Sequence, residues 1–391
     1  MRFGFAKDVR TFPPISNLDF ALGFPSTTPP RAWREKPWKM EASCRQTPGL
    51  DDEDHAQLSL LGLDLTGPTS TTLGPPPASP PRLTWSSPAI TPAPTWEVAE
   101  TREIADRIER FMQLMPTAQL DEAKLSEYGQ LKLVRAVMRI IGQELNAEEP
   151  LSKSGTFESI YAALSSGADA EPAGLAQSFH VEGHAQPVEQ WKKMVWQCLR
   201  ALRRLLEEDE LTVRGLIDVH AIMMEGAYGS GAPEGEGCTT GLRGEHAFAG
   251  SFDFAAPKDI EPRCQAMVDR FNAKLASGET HPVLLATDLM YDLVTIHPFS
   301  NGNGRMCRMV FTYALHRCGF PLLVVYSSPH PGQSARKHYL RGIIKAQTSL
   351  SVSARYPMYS MAFYSVGAAI RNAETYFMGT RSDEWSRLAD S

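Results

Sequence analysis

Sixteen of the 29 prolines in this chain fall before residue 95, and that asymmetry divides the sequence in two. Proline fixes φ and has no N–H to donate, so a proline-dense stretch can neither sustain a helix nor join a central strand. Pro75, Pro76 and Pro77 are followed at once by Pro80 and Pro81, among many Ser and Thr. Such a segment buries too little apolar surface to offset its ordering entropy. Residues 1–96 are therefore expected to be disordered. Within them, Asp51–Asp54 reads as a solvated acidic run, and Leu58–Leu65 is apolar enough for a short binding motif.

Beyond Trp96 the apolar residues recur at helical spacing. Ile104, Ile108, Phe111, Met112 and Met115 share one stripe, and Leu131, Leu133, Val134, Val137, Ile140 and Ile141 make a strongly apolar second one. Helical patterns follow over residues 152–166, 188–208, 212–224, 260–276, 283–296, 303–317, 335–346 and 359–377. Residues 226–244 are glycine-rich and read as loop. His246–Phe254 alternates around Gly250 and Ser251 and is the one convincing hairpin. The expected fold is all-α, a helical bundle with a small β-hairpin. The expected division is a tail (1–96), a helical extension (97–170) and the main domain (171–378).

A formal charge of −6 supplies no broad basic surface, so no nucleic-acid partner is expected. No run reaches the 18 or more apolar residues of a membrane span, so no membrane partner is expected either. The six cysteines are scattered without a C-x-x-C pair, which fits reduced thiols in the cytoplasm or nucleus. The basic lean of the first 45 residues leaves an organellar transit segment as the alternative. A homo-oligomer is compatible with all of this.

The chemistry concentrates between His297 and Arg308. Gly302 and Gly304 flank Asn303 just before a helical run. Glycines let the backbone approach a ligand closely, and the helix start adds unpaired N–H groups and the positive dipole end. Arg305 and Arg308 lie one turn apart, so both guanidinium groups can reach one anion. His297 ends the preceding apolar helix, which Pro298 stops, and a histidine there can serve as general base. Base, anion cradle and paired arginines point to chemistry on a nucleotide phosphate.

The run His297-Pro298-Phe299-Ser300-Asn301-Gly302-Asn303-Gly304-Arg305-Met306-Cys307-Arg308 resembles the Fic motif, H-P-F-x-(D/E)-G-N-G-R-x-x-R. The helix from His281 to Ile296, the helix Leu216–Gly226 and the segment Gly241–Pro257 resemble, in order, the family's flanking helices and flap. The resemblance spans residues 175–350. It implies a Fic-type helical bundle and a protein adenylyltransferase using ATP. His297 would deprotonate a Ser, Thr or Tyr hydroxyl of a target protein held at the flap. Gly302, Asn303 and Gly304 would cradle the phosphates, Arg305 would neutralise the β-phosphate and Arg308 would hold the γ-phosphate. Tyr339 would line the adenine pocket. Phe299 reads as core.

One motif position departs from the family. Asn301 stands where an Asp or Glu binds magnesium or manganese, and its amide brings no charge to a hard cation. Three readings stay open: a transferase with a weakened metal site, a transferase of another phosphate-linked group, and a nucleotide-binding pseudoenzyme. Asp292 is a weak substitute ligand. A second signature, Ser178 to Gly183, fits the family's inhibitory pattern (S/T)-x-x-x-E-(G/N). It would place Glu182 on Arg308 from a helix, with Ser178 one turn earlier, and keep the site off. With Glu182 engaged, AMP removal is the further variant. His180 and His184 mimic a zinc pair, but Glu182 does not follow the first histidine directly as H-E-x-x-H requires.

Overall fold

The computed structural model describes residues 108, 122–145, 151, 154–166, 171–181, 187–229, 237–249, 252–320, 322–326, 343 and 356–378. The described helices, in chain order, are α1 (Glu122–Leu145), α2 (Thr156–Ser166), α3 (Val188–Leu206), α4 (Val213–Met223), α5 (Pro257–Ser277), α6 (Pro282–Ile296), α7 (Asn303–Arg317) and α8 (Tyr356–Met378). Four two-residue strands complete the set: β1 (Phe179–His180), β2 (Ala227–Tyr228), β3 (Phe248–Ala249) and β4 (Phe252–Asp253). The expected tail, the 335–346 helix and the Gly250–Ser251 turn lie outside the described residues.

Helices α6 and α7 form the centre because they are buried on nearly every face. Leu285, Leu289, Met290, Leu293 and Ile296 on α6 and Met306, Met309, Val310, Phe311 and Leu315 on α7 are all buried. A helix buried on every face belongs inside a domain. The two pack along each other, α5 and α8 cover α6, and α1 and α3 cover α7. Truncating one of these leucines to Ala would cost about 2–5 kcal/mol in transfer and cavity terms.

Local signals set the helix ends near the site. Pro282 occupies the first turn of α6, and the His281 ring nitrogen Nδ1 accepts from Val283 N–H at 3.2 Å. The α6 helix stops where His297 turns left-handed (φ 53°), the only non-glycine positive φ among the described residues. Gly302 (φ 78°) then opens α7. The α6 C-terminus and α7 N-terminus thus meet across a five-residue loop, 298–302.

The hairpin forms as expected, with Phe248 opposite Asp253 and Ala249 opposite Phe252. A second pair was not expected: β1 runs parallel to β2, Phe179 against Ala227 and His180 against Tyr228. This corrects the helical placement of the Ser178–Gly183 signature, because Phe179 and His180 are extended. Gly226 makes the pairing feasible, since at φ 80° a Cβ there would sit 2.7 Å from the Gln177 carbonyl oxygen.

Candidate active site

The loop between α6 and α7 is braced from both sides. Asn303 spends its whole amide on Phe299: Oδ1 accepts from Phe299 N–H (3.1 Å) and Nδ2 donates to Phe299 C=O (2.7 Å). Its side chain is therefore a loop staple, with one Nδ2 N–H and the main chain left over. His220 of α4 stacks on the buried Phe299 ring (3.9 Å, 4°) and contacts the Asn301 carbonyl through Nε2 at 3.0 Å. Burial first, and then the Arg305 charge, hold His220 down to about 4 against the pull of that carbonyl.

His297 gets its position from its left-handed backbone. Its N–H caps α6 on Leu293 C=O (2.9 Å), and Arg243 Nε donates to its carbonyl at 2.7 Å. A non-glycine residue in this region costs on the order of 1–3 kcal/mol and persists only where its surroundings over-determine it. Arg243 is the main brace. It is buried and also donates to the carbonyls of Glu245, of Ala255 (2.5 Å) and of Ile296 (3.4 Å). One guanidinium thereby ties the flap to the end of α6. Phe254, just past β4, stacks on the His297 ring at 4.0 Å. Burial chiefly, with the Arg243 charge second, holds His297 down to about 4, so its ring is neutral at pH 7.

Arg305 is 1% exposed, and the groups at its guanidinium are sulfurs. Nη2 donates to Met224 Sδ at 3.4 Å. The Cys198 thiol lies beside it, pushed up to about 11 by burial although the Arg305 charge draws it down. Nε and Nη1 are buried with no oxygen or nitrogen partner among the described residues. A buried cation with unspent donors is costly, of order several kcal/mol, unless an anion completes it. Gly302 keeps the approach open: a Cβ there would meet Met223 Cε at 2.6 Å and Arg305 Nη2 at 3.4 Å. The N–H groups of Asn303, Gly304 and Arg305 are the first of α7 and have no intrahelical acceptor.

Arg308 meets a carboxylate, and it comes from α1. Arg308 Nη1 donates to Glu144 Oε2 at 2.9 Å, with Arg308 1% and Glu144 24% exposed by side chain. The same carboxylate overhangs the cradle, since a Cβ on Gly304 would stand 2.5 Å from Glu144 Oε2. Glu144, a carboxylate that the sequence did not single out, therefore meets Arg308 among the described residues. Glu182 itself lies outside the described residues, as do Tyr339 and His184. Ser178 is buried beside β1, not on a helix. Glu144 escaped because Ile140 stands where the signature needs Ser or Thr, and Leu145 where it needs Gly or Asn. The available signal was physical: a carboxylate in the last turn of a helix whose apolar stripe, Val134, Val137, Ile140 and Ile141, must face the core.

The donor set does not fit a cation held by the protein. Asn301 Oδ1 already accepts from Gly302 N–H at 2.7 Å. Asp292 is committed to Arg270 (2.7 Å). No group of three or more His, Cys, Asp or Glu with metal-site geometry occurs among the described residues. A divalent cation would find one neutral oxygen here, where magnesium normally takes one or two carboxylates together with substrate phosphates.

A neutral histidine on a strained corner, a glycine-lined helix start and a buried arginine with unspent donors meet in one helical domain, an arrangement suited to an anion. Residues 210–315 match the model of the Fic/DOC family. A Fido domain-containing protein from Dictyostelium discoideum is 36% identical over 86 residues, 22% of this chain and 60% of that protein. A protein named protein adenylyltransferase Fic, from Drosophila willistoni, is 26% identical over 231 residues, 56% of this chain and 42% of that one. The chain therefore covers less than two thirds of the length of these curated relatives. The fold is that of a Fic domain containing signaling protein from Bacteroides thetaiotaomicron, with a TM-score of 0.50 at 17% identity over 72% of this chain and 98% of the other.

Proposed function

We propose that the chain is an autoinhibited protein adenylyltransferase. The observation that carries this reading is the buried Arg305, whose Nε and Nη1 lack partners at the glycine-lined start of α7, close in sequence to a neutral His297. An unpaired buried guanidinium at a helix N-terminus suits a polyphosphate, and a neutral imidazole suits proton abstraction. In the proposed reaction His297 takes the proton of a target Ser, Thr or Tyr hydroxyl. The hydroxyl oxygen bonds to the α-phosphorus of ATP while the bond to the bridging oxygen breaks, and pyrophosphate leaves. The chain's own part is to bind phosphates at Arg305, Arg308 and the first N–H groups of α7, and to hold the proton on His297. The target segment adds to the flap, where Phe248 is 68% exposed.

Autoinhibition rests on Glu144. Its carboxylate takes the Arg308 guanidinium that the γ-phosphate needs and overhangs Gly304, so nucleotide and Glu144 compete for one cation. A second reading, a nucleotide-binding pseudoenzyme, is favoured by Asn301, whose side-chain oxygen is neutral and already accepts from Gly302 N–H.

The test is self-labelling with α-labelled ATP in magnesium or manganese, comparing wild type, Glu144→Ala and Glu144→Ala/His297→Ala. Label is expected on Glu144→Ala and absent from the double variant. No label on any of them, with ATP binding intact, would establish the pseudoenzyme instead.

A further inference from the structure

Away from the nucleotide site, α1, α2, the segment 322–326 and α8 line a solvent-open cavity of about 420 Å³. Its rim carries three cations of one helix, Lys132, Arg135 and Arg139, against one carboxylate, Glu158. The three sit at i, i+3 and i+7 on α1 and so share one face. Like charges at this spacing repel, and a helix that keeps them is stabilised by whatever anion they share. Among the described residues none of the three forms a hydrogen bond or an ion pair. Lys132 lies over the Tyr128 ring (4.9 Å) and Arg135 over Phe157 (5.8 Å). Burial first, and then the Arg135 and Arg139 charges, hold the Lys132 ammonium down to about 8. Below this rim the wall is apolar, with Met138, Phe157, Leu323 and Val325. A cavity of this size with an apolar wall and a few convergent polar groups is the usual form of a small-molecule site.

We infer that this cavity binds a small organic phosphate, its phosphate among Lys132, Arg135 and Arg139 and its apolar body against Met138 and Phe157. The occupant bridges α1 to α2, with α8 and the 322–326 segment as the remaining walls. Glu144 stands on the same helix, five residues beyond Arg139 and about 140° round it. The helix thus offers its basic face to the cavity and its carboxylate to Arg308. Occupancy holds α1 in place and, on the autoinhibition reading above, holds Glu144 on Arg308. By linkage the occupant and ATP then weaken each other's binding by the same factor.

The test is calorimetric titration of the full chain with phenyl phosphate. Wild type is compared with Lys132→Gln/Arg135→Gln/Arg139→Gln and, separately, with Arg305→Gln. Affinity is expected to fall at least tenfold in the triple variant and to survive Arg305→Gln. The triple variant removes like-charge repulsion, so its unliganded melting temperature should not fall, which separates lost binding from lost folding. Binding that survives the triple variant, or disappears with Arg305→Gln, places phenyl phosphate in the nucleotide cradle and overturns the site. The linkage is read from ATP titrations with saturating phenyl phosphate. A loss of ATP affinity of threefold or more is expected in wild type and absent in the triple variant. Unchanged ATP affinity in wild type overturns the hold on Glu144 while leaving the binding result, which does not depend on transferase activity.

Discussion

Removing the Glu144 carboxylate should switch ATP binding on, and the structure sets the scale. Arg308 is 1% exposed and donates to Glu144 Oε2 at 2.9 Å. A hydrogen bond to a charged group contributes about 1.5–3 kcal/mol net. Nucleotide binding must break this bond before the γ-phosphate can occupy Arg308. Glu144→Ala therefore returns about 1.5–3 kcal/mol to ATP, roughly a 10- to 100-fold tighter dissociation constant. The cost falls on the empty protein. Breaking a buried pair by removing one partner costs about 3–5 kcal/mol, and the 24% exposure of Glu144 discounts this through water. A fall of several degrees in the melting temperature is expected, recovered on adding ATP because a ligand stabilises the state it binds. Glu144→Gln should fall between the two proteins. Calorimetry of ATP binding and thermal melts with and without ATP read both effects. If ATP affinity changes less than twofold while the melting temperature drops, Glu144 is a structural partner of Arg308 and the competition argument is wrong. Glu182→Ala is the companion variant; wild-type ATP affinity is expected of it, and a gain equal to that of Glu144→Ala would return the inhibitory role to the Ser178–Gly183 signature.

Asn301→Asp adds a charged oxygen where the nucleotide's cation would sit. It should raise magnesium-dependent labelling in the Glu144→Ala background by about tenfold, given ~1.4 kcal/mol per decade; a fall in labelling would favour transfer of a different group. Arg243→Met leaves four carbonyls without their donor and should cost about 3 kcal/mol or more in denaturant unfolding. Its labelling should fall further than its stability alone explains, because His297 loses its brace; full activity would contradict the positioning role. Since burial holds His297 near 4, the base is already neutral above about pH 5. Labelling should therefore show no acidic limb between pH 5.5 and 7.5, and a limb centred near 6.5 would mean the ring is solvated. His220 is fully buried with its folded pKa lowered to about 4 from 6.5. The fold favours its neutral form, so this stabilisation is complete above pH 6.5 and is lost as pH falls toward 4. The slope is at most about 1.4 kcal/mol per pH unit. Denaturant midpoints should decline over that window, less steeply in His220→Gln; equal slopes would remove His220 from the account.

What the sequence determined by itself was local and repetitive. The α6 and α7 helices, their end at Pro298 and start at Gly302, the hairpin and the His297–Arg308 run all follow from periodicity, capping and turn chemistry within about 15 residues. Phe299 read as core and is core. Tertiary structure decided what depends on distant partners. The Asn303 amide reads as a phosphate ligand in one dimension, yet Phe299 main-chain groups claim both its ends. The β1–β2 pair spans 48 residues between Phe179 and Ala227 and has only two residues per strand, too few for an alternation to show. The Arg308 partner is the sharpest case. The local signature pointed to Glu182, which lies outside the described residues, while Glu144, 164 residues before Arg308, accepts from its guanidinium. Which carboxylate reaches a buried cation is set by how α1 packs on α7, not by the residues beside it in the chain.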